Sequence, residues 1–284
     1  MSKLIKKYGW LLLAFVIYVV LNYNPQLLFE TSYRHWGWNL SALTTVFILI
    51  IFHLRDPLTW KQKLGIDFKL VDWIGFLLLT SSLLLISYFL VGYLSEVNGY
   101  AFRPMLIHYK TYCPADFPFL PILGDYIYYI PQTLNEEIFI GAILLLGLER
   151  NFKNLNKNVL AIGVALVFSL MHQGMYKWSP VQPGILLSAY TILTLFFVGV
   201  LRNVLILKTR KIAYAWAIHL SFNMIFFSGF CINNQTNTFA SEPERFNIVL
   251  GNWPIALVMG VLAFLSIVWL NKDRVKNMNA ATND

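Results

Sequence analysis

Charge is scarce in this chain: Asp and Glu number 14 and Lys and Arg 22 among 284 residues, 13% in all. With 57% apolar residues and a mean hydropathy of +0.58, the sequence holds more hydrophobic side chain than a soluble core of this size buries. A disordered chain and a soluble nucleic-acid binder are thereby excluded. Only two cysteines occur, too few for a disulfide scaffold. The net charge of +8 could signal an anionic partner, but the basic residues stand in short clusters between apolar runs, where they set topology against a membrane. The partner read from composition is the lipid bilayer, with no nucleic acid.

What is present is a series of long apolar segments. A helical span needs roughly 20 apolar residues, and the length leaves room for about eight spans with short loops. They read as Trp10 to Leu21, Leu40 to Leu54, Trp73 to Leu94, Asp125 to Leu148, Val159 to Met175, Gly184 to Leu207, Ile212 to Phe230 and Asn252 to Leu270. The first has signal-peptide character behind Lys3, Lys6 and Lys7, yet Asn22-Tyr-Asn-Pro follows where small cleavage-site residues would stand, so it reads as a retained span. The runs are continuous rather than alternating with period two, which argues against a barrel. The expectation is an all-α polytopic membrane protein, one integral domain over 1–284, with a flexible tail over 271–284.

Charge supports the same count. The N-terminus, the even-numbered loops and the tail hold 17 of the 22 basic residues, while Arg34, Arg103, Lys110, Lys177 and Arg245 are shared among the odd-numbered loops. The positive-inside rule then places both termini in the cytoplasm. On this topology Cys113 and Cys231 fall on the outer side. A bridge between them and two free thiols remain equally open readings.

Of the 14 carboxylates, only Glu136 and Glu137 sit well inside an apolar segment. Each costs about 2.5 to 3.5 kcal/mol to insert at a span centre, so an adjacent pair needs a reason. His172 and His219 also lie in spans. Counting from the nearest basic cluster at ~1.5 Å per residue places Glu136, His172 and Asn223 roughly 21, 22 and 18 Å above the inner surface, and His219 roughly 12 Å. Four polar groups on three helices thus share one band. His219 and Asn223 are four apart and share a helix face; Phe168 is four before His172 and can limit its rotamers. A carboxylate and an imidazole in a wet cavity can draw a proton from water, and the donors of His219 and Asn223 suit a developing oxyanion. Taken singly, a span histidine or Asn223 is more readily explained as interhelical glue, whereas the carboxylate pair on its own already favours a site.

Glu136-Glu137, Phe168-x-x-x-His172 and His219-x-x-x-Asn223, in this order, resemble the CPBP family, which comprises the type II CAAX prenyl endopeptidases and the bacterial bacteriocin-processing or Abi proteins. The motif-bearing region spans about 125–230. The resemblance implies a metal-independent intramembrane glutamic endopeptidase without cofactor. It would cut a membrane-associated peptide or protein, with Glu136 and His172 activating water and His219 and Asn223 lining the oxyanion side; the outward-leaning depth of the site and the short loops favour a bacterial inner membrane. Phe168, Glu137 and Arg202 are supporting residues.

The chain departs from the family at one place. The first motif there is usually Glu-Glu-x-x-x-Arg, and the sixth position here is Gly141. The missing arginine would lie on the face of Glu137 and neutralise it. Arg202 is the one basic residue well within a neighbouring apolar segment, roughly 9 Å above the cytoplasmic end against roughly 13 Å for Gly141. It either stands in for that arginine or snorkels to the interface. Other functions compatible with the pattern are a non-catalytic scaffold or immunity protein and, more remotely, a proton-coupled transporter, although no Gly/Pro-interrupted spans recur in matching halves. A zinc site from Glu136, His172 and His219 is chemically allowed, but no His-Glu-x-x-His helix is present.

Overall fold

Continuous apolar runs with sparse polar punctuation form long helices, because in lipid each backbone polar group must be satisfied within its own segment. The computed structural model describes residues 33–104, 129–177, 186–228, 230–233 and 242–281. Helix α1 spans Tyr33–Arg55, α2 Trp60–Leu64 and α3 Leu70–Val97, followed by strand β1 at Ala101–Pro104. Helix α4, over 129–136, passes into π-helical turns at Glu137–Leu146 and then α5 at Gly147–Asn151. Helices α6 (Lys157–Lys177), α7 (Ala189–Thr209) and α8 (Ile212–Phe222) follow; α8 continues as π turns over Asn223–Ser228 into strand β2 at Phe230–Asn233. Helices α9 (Glu242–Leu250) and α10 (Trp253–Ala281) complete the described chain.

The protein is mostly helical and integral to the membrane. Among the described residues, three helices are long and apolar enough to cross one, within Leu70–Val97, Ala189–Thr209 and Trp253–Lys272; Thr44–Arg55, Lys157–Gln173 and Ile212–Phe226 are shorter apolar stretches. The first expected segment, Trp10 to Leu21, lies outside the described residues, as does Cys113. The seventh expected segment ends early, since the chain leaves the helix for β2, which pairs antiparallel with β1 in the register Phe102 to Ile232. Helix α10 runs on to Ala281, into the stretch read from sequence as a flexible tail.

The π-helical segment is the centre of the bundle. Glu137, Ile138, Phe139, Ile140 and Ala142 are all buried there, whereas α3 exposes Leu78, Leu79, Leu83, Ile86 and Phe89, a surface suited to lipid. Close approach of α6 to α7 depends on Gly199, whose added Cβ would stand 3.2 Å from the Ala165 Cα. At one end of the bundle Glu149 pairs with Lys157 at 3.3 Å and with Arg210, and the Ile212 amide donates to the Gly65 carbonyl at 2.9 Å. Gly65 has φ of 69°, and a Cβ there would meet the Arg210 carbonyl oxygen and the Ile212 nitrogen, both at 2.9 Å. Gly65→Ala combines left-handed strain with a backbone collision and is expected to cost about 2–4 kcal/mol. A lowered unfolding midpoint in detergent is the readout; an unchanged midpoint would mean that this loop contributes nothing to stability.

Candidate active site

The helix bearing the two carboxylates is held by polar ties. Asn135 Nδ2 donates to Thr45 Oγ1 of α1 at 3.2 Å, and Thr133 Oγ1 accepts from Trp216 Nε1 of α8 at 3.0 Å. Trp216 stacks on Trp73 of α3 with ring centroids 4.4 Å apart. Glu136 is the last α-helical residue, and the wider i→i+5 turns begin at Glu137. On α8 the same change falls at Asn223, immediately after the turn that carries His219. Such turns are rare and concentrate at functional sites. Here they coincide with motif residues on both helices.

The adjacent carboxylates have different surroundings. The Glu137 side chain is fully buried, and Arg202 Nε of α7 lies 2.8 Å from each of its oxygens. Arg202 is itself buried; its Nη1 donates to Asn203 Oδ1 at 3.0 Å, while Asn203 Nδ2 donates to the Ala161 carbonyl of α6 at 2.8 Å. The guanidinium sits over the Phe168 ring, 5.4 Å from its centroid. Of the two readings open for Arg202, the structure therefore has it on Glu137. Gly141 gives it room: a Cβ there would stand 3.3 Å from Arg202 Nη2 and 2.9 Å from Ile206 Cδ1. Glu136, by contrast, keeps 17% of its side chain exposed, the same as His219.

The imidazole that the structure sets against both carboxylates is that of His219. Its Nδ1 is 3.2 Å from Glu137 Oε1, and its Nε2 is 3.8 Å from Glu136 Oε2. His172 stands on α6 beside Phe168, the ring that the Arg202 guanidinium overlies. Its Nδ1 lies 2.9 Å from the Phe168 carbonyl oxygen, which can only accept, so that nitrogen carries the proton and Nε2 is the free one. The ring is wedged edge-on between Phe168, with centroids 4.6 Å apart, and Phe246 of α9 at 5.7 Å. Asn223 is buried, one turn beyond His219. A solvent-reachable carboxylate, a sealed carboxylate with its own cation and two imidazoles with fixed orientation can together accept, hold and return a proton.

The sequence did not disclose Phe246 or Asn203. Phe246 lies on a short helix in a polar stretch without hydrophobic periodicity, and Asn203 carries no signal beyond standing next to Arg202 in an apolar run. Residues 118–225 match the family model described as Rce1-like, type II CAAX prenyl endopeptidase. Over this stretch the chain is similar to an Rce1-like domain. The match takes in Glu136, Glu137, His172, His219 and Asn223, and over this stretch the likeness to the CPBP family holds. Comparison with curated proteins and with solved structures finds no match. The matched stretch is thus similar to membrane proteases of the CAAX type.

Proposed function

We propose that the protein is a metal-independent intramembrane endopeptidase in which Glu136 draws a proton from water and the resulting hydroxide attacks a peptide carbonyl. The observation that carries this reading is the division of labour between neighbours: Glu136 is reachable, whereas Glu137 is sealed and saturated by Arg202. His172 orients the water through its free Nε2, held by the Phe168 carbonyl on the other side. His219 and Asn223 line the oxyanion side; when protonated, His219 donates from Nε2 while Glu137 balances its charge. The proton held by Glu136 then goes to the leaving amine. Metal independence is what the family resemblance implies, and Glu137 is committed to a guanidinium and an imidazole. Chelators are accordingly expected to leave activity intact.

The substrate class is a membrane-associated peptide or protein, and the setting a bacterial inner membrane with eight spans and both termini cytoplasmic. The test compares membrane proteomes with and without the protein, looking for a precursor that fails to mature in its absence. Identical proteomes would favour the scaffold or immunity reading. With that precursor in hand, Asn223→Ala is expected to slow maturation by about 10²- to 10³-fold, as for loss of an oxyanion donor. An unchanged rate would reduce Asn223 to an interhelical contact.

A further inference from the structure

Arg202 belongs to α7, not to the helix it neutralises, and its placement is over-determined. Nε spans both Glu137 oxygens, Nη1 is tied through Asn203 to the α6 backbone, the guanidinium plane covers Phe168, and Nη2 points into the notch at Gly141 without a hydrogen-bond partner. An arginine fixed on three sides fixes Glu137 in turn, and Glu137 Oε1 faces His219 Nδ1 at 3.2 Å. A carboxylate sharing an arginine carries no proton to donate, so the hydrogen between Glu137 and His219 sits on the imidazole. The other ring nitrogen, Nε2, is the one that faces Glu136.

We propose that Arg202 and Glu137 act as a positioning couple that locks His219 with its proton on Nδ1 and so reserves Nε2 for the reacting side of the site. The couple does for an imidazole in lipid what a carboxylate partner does for a metal-bound histidine: it selects one tautomer and one ring orientation. Neither residue touches the reacting atoms. Gly141 is part of the device, because any larger side chain there meets the guanidinium and the side chains of Ile206 and Ile212. The proposal gives a purpose to His219 that rests on the endopeptidase reading, but the lock itself is a property of the resting protein and is measured without substrate.

The test is the ¹⁵N imidazole spectrum of the full chain in lipid nanodiscs, with histidine labelled and the His219 signals assigned by their loss in His219→Gln. In the wild-type protein His219 is expected to keep a protonated Nδ1 on both sides of its titration. A resting His219 with the proton on Nε2 alone overturns the proposal. The double variant Glu137→Leu/Arg202→Met removes both buried charges together, so that neither is stranded. It should release His219 to a mixture of tautomers and slow precursor maturation by about 10- to 100-fold, mainly in kcat. An unaltered His219 spectrum in that variant would make the couple merely structural. Should the double variant not accumulate, the wild-type spectrum still decides. Failure of the proteome comparison with a locked His219 would sink the endopeptidase reading and leave the lock standing; the reverse pair of results would do the opposite.

Discussion

Glu136→Gln is expected to bring precursor maturation to background while the protein accumulates in the membrane at its normal level. The substitution keeps volume and shape but replaces a base by an amide with no useful proton affinity, and loss of positioned base catalysis costs about 10²- to 10⁴-fold. Accumulation should survive because Glu136 is the partly exposed member of the pair and its contact with His219, at 3.8 Å, is longer than a hydrogen bond. The ratio of precursor to mature form, read beside the level of the variant itself, separates the two effects. Full maturation by the Gln variant would remove Glu136 from the chemistry. Glu137→Gln is the instructive contrast, since it strips a buried arginine of its counter-charge and should reduce the amount of folded protein as well as its activity.

That contrast was only partly legible in the sequence. Two carboxylates in an apolar segment announce a site by their cost alone, and the i, i+4 pairs announce which faces carry it. A common depth for Glu136, His172 and Asn223 followed from counting residues. The pairing of His219 with both carboxylates did not follow, because the relative rotation of α4 and α8 about their axes is set by packing of many side chains and by π turns that no residue pattern marks. Ideal α-helical spacing puts Glu136 and Glu137 about 100° apart, and the change of helix type between them lies outside that arithmetic. Arg202 was visible as the one basic residue deep in a neighbouring segment, yet depth alone leaves snorkelling and pairing open. What separates the two readings is the notch at Gly141 and the hold of Asn203 on α6, both of which are tertiary. The strands β1 and β2 were missed for a related reason: four residues each are too few for periodicity to register, and the pairing joins segments more than a hundred positions apart.

The largest stability effect is expected from breaking the Arg202–Glu137 pair on one side only. Arg202→Met leaves a carboxylate with no exposed surface, and Glu137→Leu leaves a guanidinium that is nearly as enclosed. Removing one partner of a buried ion pair costs about 3–5 kcal/mol, because the survivor has lost its hydration without compensation. Each single variant should therefore show sharply reduced accumulation and a lower unfolding midpoint in detergent. The double apolar variant should recover most of the loss, since well-packed hydrophobic side chains replace such pairs at little or no cost. The coupling between the two sites is then strongly non-additive, the mark of direct contact in a mutant cycle. A complementary variant relocates the cation: Gly141→Arg together with Arg202→Met puts a guanidinium four residues beyond Glu137, on its own face. Loss of the Arg202 side chain clears Nη2 from the neighbourhood of position 141, leaving the ends of Ile206 and Ile212 as the side chains that must yield. Recovery of accumulation in this relocated variant, against its absence in Gly141→Arg alone, would show that the pocket needs one cation and accepts it from either helix. Equal losses in both would show that the site is shaped for an arginine arriving from α7.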